Sequence, residues 1–315
     1  MKPRDMLILI SAFAIATALA SYAEKPACLD PLAKSAAAAK EADYKGTKIV
    51  QTLQAGKSTQ FRAKVYHRKP DKTRTEYIAP PSVAGMVVLY VGPDRWRYSP
   101  TTRQWARTTG GDEEENFVLA RKNYRADFLG DGIVAGRQVR AFELVPRIPG
   151  NPSKTIWLDK QHNLVLRTEW RSSIGVVTSW SRFIEIEFNP PDMPNELFEP
   201  PRAPAHSAET PLERPTFKVV IPGYVPKGYV LAETTVLPID GQRVVHLKFT
   251  NGLNTISLFE HVHGRTPDEP SDPTCSSNAF PFSQRVSWQH GGLAFTLMGD
   301  VRPSELQKIA ESARK

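Results

Sequence analysis

His261-Val262-His263 places two imidazoles two residues apart. In an extended strand such residues share a face, so both can reach one metal ion, and His246 falls on a neighbouring predicted strand. Structural zinc takes four Cys or His ligands, and no spaced set completes this one. A histidine pair at the end of a surface strand is the commoner arrangement, so no metal is expected. The chain holds no Gly-x-Ser-x-Gly, no His-Glu-x-x-His, no Walker loop and no Gly-x-Gly-x-x-Gly. Gly130-Asp131-Gly132 with Gly136 misses the dinucleotide spacing and reads as a hairpin-like turn. Neither a catalytic residue nor a cofactor is expected, which leaves binding. Trp96, Trp105, Trp157, Trp170, Trp180 and Trp288 are the residues best suited to it. Aromatic and aliphatic side chains on one face of a curved sheet can take acyl chains or a hydrophobic peptide. The same residues also serve as ordinary core, since a sheet must bury one face. Strand alternation selects Phe61, Val65, Met86, Val88, Tyr90, Trp96 and Trp157 for the wall of such a cavity.

The compartment follows from the N-terminus. Met1-Lys2-Pro3-Arg4, an apolar run from Met6 to Ala20 and Ser21-Tyr22-Ala23 have the order of a secretory signal peptide cut after Ala23. The apolar run is about 15 residues, short of the roughly 20 that span a bilayer. Lys25-Pro26-Ala27 before Cys28 lacks the small apolar residues that precede a lipidated cysteine. An oxidising compartment permits a disulfide between the only two cysteines, Cys28 and Cys275, although nothing in the sequence sets their distance and two separate thiols remain the other reading. The formal charge is +8, and residues 217–315 carry 10 Lys/Arg against 9 Asp/Glu, so most of the excess lies in the first part. A basic domain can meet anionic lipid or an acidic partner, or simply stay soluble. Nucleic acid is not expected for an exported chain.

A helix is expected from Leu29 to Ala42, where Leu29, Leu32, Ala36 and Ala39 recur at helical spacing. Strands follow at Tyr44 to Leu53, Thr59 to His67, Thr73 to Ile78, Gly85 to Val91, Arg95 to Tyr98 and Gln104 to Arg107. Asn116 to Arg125 reads as a short helix. Gln138 to Val145, Thr155 to Asp159, Leu164 to Trp170 and Val176 to Phe188 complete a large antiparallel sheet. Pro200, Pro201, Pro204, Pro211 and Pro215 then mark a stiff linker. Beyond it, strands are expected at Phe217 to Ile221, Tyr229 to Leu237, Gln242 to Thr250, Asn254 to His263, Arg285 to Gln289 and Leu293 to Met298. A closing helix runs from Pro303 to Ala313, entered either on Pro303 or through a Ser304–Gln307 capping box. The division is therefore 1–23 signal peptide, 24–198 first domain, 199–216 linker and 217–315 second domain.

Several segments resemble the RseB/MucB type of sigma-E regulatory protein. In the first domain these are Tyr44-Lys45-Gly46-Thr47 and the hairpin Trp157-Leu158-Asp159-Lys160 with Leu164-Val165-Leu166-Arg167, which are also similar to the LolA/LolB lipoprotein carriers. In the second they are Gly223-Tyr224-Val225-Pro226-Lys227-Gly228-Tyr229, His246 to Leu253 running into Ile256-Ser257-Leu258-Phe259-Glu260, and Gly299-Asp300-Val301 before Leu306 and Ile309-Ala310-Glu311-Ser312. The resemblance implies an α+β chain: a LolA-like antiparallel half-barrel with helices closing its mouth, plus a small mixed α/β C-terminal domain. It implies a periplasmic regulator that binds the periplasmic part of a membrane-spanning anti-sigma factor, senses a lipid-like or lipoprotein ligand, and keeps an envelope-stress sigma factor off. Partner contact is expected at the hairpin of Asn251, Leu253, Ile256, Leu258 and Phe259. The other reading is a periplasmic carrier of lipoproteins or lipids, though a carrier is normally a single domain. A homo-oligomer is compatible with either.

Overall fold

The structure is a computed structural model that describes residues 31–54, 57–109, 113–200, 206–207, 215–239, 242–263, 274–276 and 284–314. The signal-peptide segment 1–23, Cys28, most of the proline-rich linker and the side chain of Cys275 lie outside the described residues.

Helix α1 (Pro31–Glu41) precedes β1 (Tyr44–Gln54), β2 (Lys57–Arg68), β3 (Lys72–Ala79), β4 (Val87–Val91), β5 (Asp94–Ser99) and β6 (Gln104–Thr109). Helix α2 (Glu113–Asn123) leads into β7 (Tyr124–Val134), β8 (Arg137–Pro146), β9 (Ser153–Asp159), β10 (Val165–Arg171) and β11 (Val177–Phe188). A single 3-10 turn, Asn195–Phe198, and the short β12 (His206–Ser207) close this half. These strands form one twelve-stranded sheet in the order β12-β6-β5-β4-β3-β2-β1-β11-β10-β9-β8-β7. Two meanders run in opposite directions and meet where β1 pairs with β11. Every pairing is antiparallel except β12 on β6, and the sheet stays open, with β12 and β7 as its edges.

One element of this sheet departs from expectation in kind. The Gly130-Asp131-Gly132 segment is no turn but part of β7, paired with β8 from Tyr124 to Val134 through a bulge between Phe128 and Gly130. The extra residue lets the chain absorb a glycine with φ of 129° without leaving the ladder. Helix α2 also starts earlier than predicted and ends at Asn123, because Tyr124 already pairs with Pro146.

The second sheet contains β13 (Val230–Ile239), β14 (Gln242–Thr250), β15 (Thr255–Val262), β16 (Thr274–Ser276), β17 (Gln284–His290) and β18 (Leu293–Gly299), in the order β13-β14-β15-β18-β17-β16. Helix α3 (Pro303–Ser312) covers one face. Alternation sends Leu247, Phe249, Ile256, Leu258, Phe295 and Leu297 to that face, where Leu306, Ile309 and Ala310 of α3 meet them. Each large aliphatic side chain buried there contributes about 1.5–3 kcal/mol. Pro303 opens α3 without side-chain capping, so the Ser304–Gln307 box does not form. Residues 217–221 make no strand either. They cross the same core, with Phe217, Val219 and Val220 packed against it and the Val220 N–H bound by Glu260 at 3.0 Å.

Candidate functional site

Leu32 of α1 packs on Tyr124, Phe142, Leu144, Ile156 and Leu158 of the large sheet. We call the face that carries them the inner face. Cross-strand register extends it along the row Phe61–Val50–Ser181–Thr168–Ile156–Phe142–Phe128. A second row runs Ile186–Gly46–Val65–Thr75–Val88–Arg97, and a third Tyr44–His67–Thr73–Tyr90–Arg95. Phe61, Val65, Val88 and Tyr90 therefore share the inner face, and Met86 stands two residues before Val88 in the same alternation. Trp96 and Trp157 belong to the opposite face by register, although Trp157 still packs against the buried cluster that includes Val65. Trp96 pairs with Leu89 and Trp157 with Arg167, both on the outer face. There Trp96 packs on the cluster of Leu89, Met193 and Phe198 that the 3-10 turn covers, and the Arg167 guanidinium lies 4.2 Å from the Trp157 ring centroid. Like the others, both follow from alternation within their own strands, and the cross-strand register puts them on the opposite face.

Around Phe142 and Leu158 the inner face is occupied by α1. Ala36 and Ala38 of α1 are buried, and the space enclosed by Pro31, Lys34, Arg140, Phe142 and Leu158 is about 10 Å³. That is room for about one water, so a chain-bearing ligand enters there only if α1 moves. Two lysines on this face escaped the sequence reading. Lys48 is 2 % exposed with its ammonium 5.3 Å from the Phe183 ring centroid, and Lys154 lies over Trp170 at 4.7 Å. Burial pushes the Lys48 ammonium down to about 7, with the charge of Lys154 adding to the effect, and burial lowers Lys154 to about 8. The signal was present in the alternation of Tyr44, Gly46, Lys48 and Val50, where a charge interrupts an inward stripe.

The hairpin expected to meet a partner is instead built into the junction between the two sheets. Asn251, Ile256 and Leu258 are fully buried, and Leu253 packs against the Phe142–Leu158 cluster of the large sheet. Asn251 donates from Nδ2 to the Tyr124 hydroxyl at 2.9 Å, while Asn123 donates from Nδ2 to the carbonyls of Gly228 and Asn251, each at 2.9 Å. Asn254 donates to the Tyr229 hydroxyl at 2.8 Å and to the Asp300 carbonyl at 3.3 Å. The end of α2 and the start of β7 thus hold the β14–β15 turn. Desolvation raises Tyr124 and Tyr229 and lifts the Asp300 carboxyl to about 7. Of the five residues chosen there, Phe259 alone points to the face away from α3, where it stacks on His246 at 4.4 Å between centroids. Burial drives His246 down to about 4, which keeps its ring neutral. Among the described residues no three His, Cys, Asp or Glu side chains converge on a point that could hold a metal.

An open sheet with a helix on its face, joined by a polar junction to a smaller sheet, has the frame of a two-domain binding protein. The sequence gives that frame a family. Residues 28–202, more than half of the chain, match the MucB/RseB N-terminal domain, so the chain belongs to the MucB/RseB family. Among solved structures, MucB in complex with MucA(peri) is similar at a TM-score of 0.66 and 18% identity, covering 90% of this chain and 97% of that one. The MucA/MucB complex of Pseudomonas aeruginosa gives 0.65 and 17%, covering 89% and 96%, and MucB alone gives 0.58 and 16%, covering 90% and 96%. No curated protein matches the sequence.

Proposed function

We propose that this chain is a periplasmic regulator that binds the periplasmic part of a membrane-spanning anti-sigma factor, responds to a lipid-like ligand, and so restrains an envelope-stress sigma factor. Its parts would be the LolA-like half-barrel with α1 closing the mouth, the Pro-rich linker 199–216 and the C-terminal domain 217–315. Family membership carries the reading, supported by a fold that follows both halves of MucB and not its first domain alone. The built junction of Asn123, Tyr124, Asn251 and Gly228 adds to it, because a partner that spans both sheets needs them held in one orientation. The chain acts by holding another molecule, with no bond made or broken.

The test is capture of the periplasmic fragment of the anti-sigma factor encoded beside this gene by the purified mature chain. Stable capture, with raised sigma-factor output in a strain lacking the gene, is expected. No capture together with unchanged output rejects the reading.

A further inference from the structure

We propose that the junction between the two sheets is a proton-operated clamp: the sheets stay joined while the Asp300 carboxyl keeps its proton and come apart when it is lost. The junction is a natural place to part. Each sheet has its own core, around Phe295 and Leu297 in one and around Phe142 and Leu158 in the other, with Leu253 crossing between them. Much of the remaining contact is polar, with Asn123 donating to two carbonyls and Asn251 to the Tyr124 hydroxyl. A polar contact of this kind between two parts of one chain lets them move unless something holds it shut.

Asp300 sits in the turn from β18 to α3, within this contact. Its carbonyl accepts from Asn254 at 3.3 Å, and its carboxyl acts on phenols from both sides, raising Tyr124 of β7 and Tyr229 ahead of β13. Those two hydroxyls already accept from Asn251 and Asn254. Among the described residues no positive charge offsets the carboxyl's burial, which pushes it up to about 7. The charged groups around it are engaged elsewhere or exposed. Arg302 lies against Gly150 and helps to hold down Glu305, which Lys308 pairs at 2.9 Å. Arg147 donates from Nε to the Tyr124 carbonyl at 3.1 Å, and Arg125 pairs with Asp127 at 3.1 Å. Arg121, Lys122 and Lys227 are exposed. A neutral carboxyl is tolerated in such a place, and a charged one without a partner is not. With the sheets apart the carboxyl meets water and its ordinary value of 3.8 returns. The joined form is therefore most favoured below that value, and its advantage fades as pH rises to about 7. On the reading proposed above, a partner that spans both sheets meets a fixed frame in acid and a loose one above neutrality.

Amide hydrogen exchange of the full mature chain between pH 5 and pH 8, corrected for the intrinsic pH dependence of exchange, tests this. Residues 121–124 on one side and 226–229 and 251–254 on the other should lose protection together, by about tenfold or more across that range. Asp300→Asn should keep the protection level, because an amide stays neutral throughout. Glu260→Gln removes another carboxyl raised to about 7 and should retain the parent's slope. A flat parent profile overturns the proposal, as does a slope that survives Asp300→Asn or vanishes with Glu260→Gln. Loss of protection on one side alone also overturns it, since that is fraying and not separation. So does an Asp300→Asn chain that is open at every pH, because the carboxyl would then serve as an acceptor and not as a switch. The anti-sigma fragment takes no part, so failure here leaves the partner reading standing.

Discussion

Glu260 sits fully buried on β15, one carboxylate oxygen accepting from the Val220 N–H and the other without a partner. Desolvation is the largest influence and raises its pKa to about 7, against an ordinary 4.5. Between those values the folded chain holds a proton that the unfolded chain has lost. Its contribution is therefore most favourable below pH 4.5 and declines as pH rises to about 7. Asp300 is raised for the same reason and slopes the same way. Glu260→Gln keeps the acceptor for Val220 and supplies a permanent donor in place of the proton. We expect it to gain about 1–3 kcal/mol at pH 8, to match the parent near pH 4, and to flatten the profile between. Urea unfolding at a series of pH values measures this, and equal loss at every pH refutes it.

At the scale of elements, the junction depends on a place with no side chain. Gly228 has a φ of 93°, and a Cβ added there would come within 2.9 Å of both Asn123 Oδ1 and Ile148 Cδ1. Gly228→Ala therefore has to twist the backbone and part α2 from the approach to β13. We expect it to cost about 1–3 kcal/mol and to open the region around residues 226–229 to protease. Asn123→Ala provides a comparison, because it removes both donors without strain and leaves two carbonyls unmet, at about 1–3 kcal/mol. If both variants melt and digest like the parent, the junction does not hold the halves together. Much of this element level was legible in the chain. Alternating strands such as Thr59 to His67 placed most of both sheets. β7 was hidden, since two glycines and two aspartates within it carry turn chemistry and only a bulge keeps them in register. The candidate faces were legible in part. Phe61, Val65, Val88 and Tyr90 followed from alternation within their strands, while Trp96 and Trp157 depended on cross-strand register. Burial of the Asn251–Leu258 hairpin was invisible, because the residues that cover it come from α2, β7 and α3, far away in sequence.

At the scale of the whole molecule, the large sheet is finished differently at its two ends. One end is capped by two residues of β12, and the other is the eleven-residue β7. Phe128 is 60% exposed and Leu129 55% along it, and among the described residues no further strand pairs with its outer side. Such a rim is a template on which another copy can stack main chain to main chain, seeding growth with no closed symmetry to stop it. Heated solutions of the protein should therefore turn cloudy with a lag that shortens when preformed aggregate is added. Leu129→Lys, by planting a charge on that rim, should lengthen the lag at an unchanged melting temperature; an unaltered lag would place the seed elsewhere.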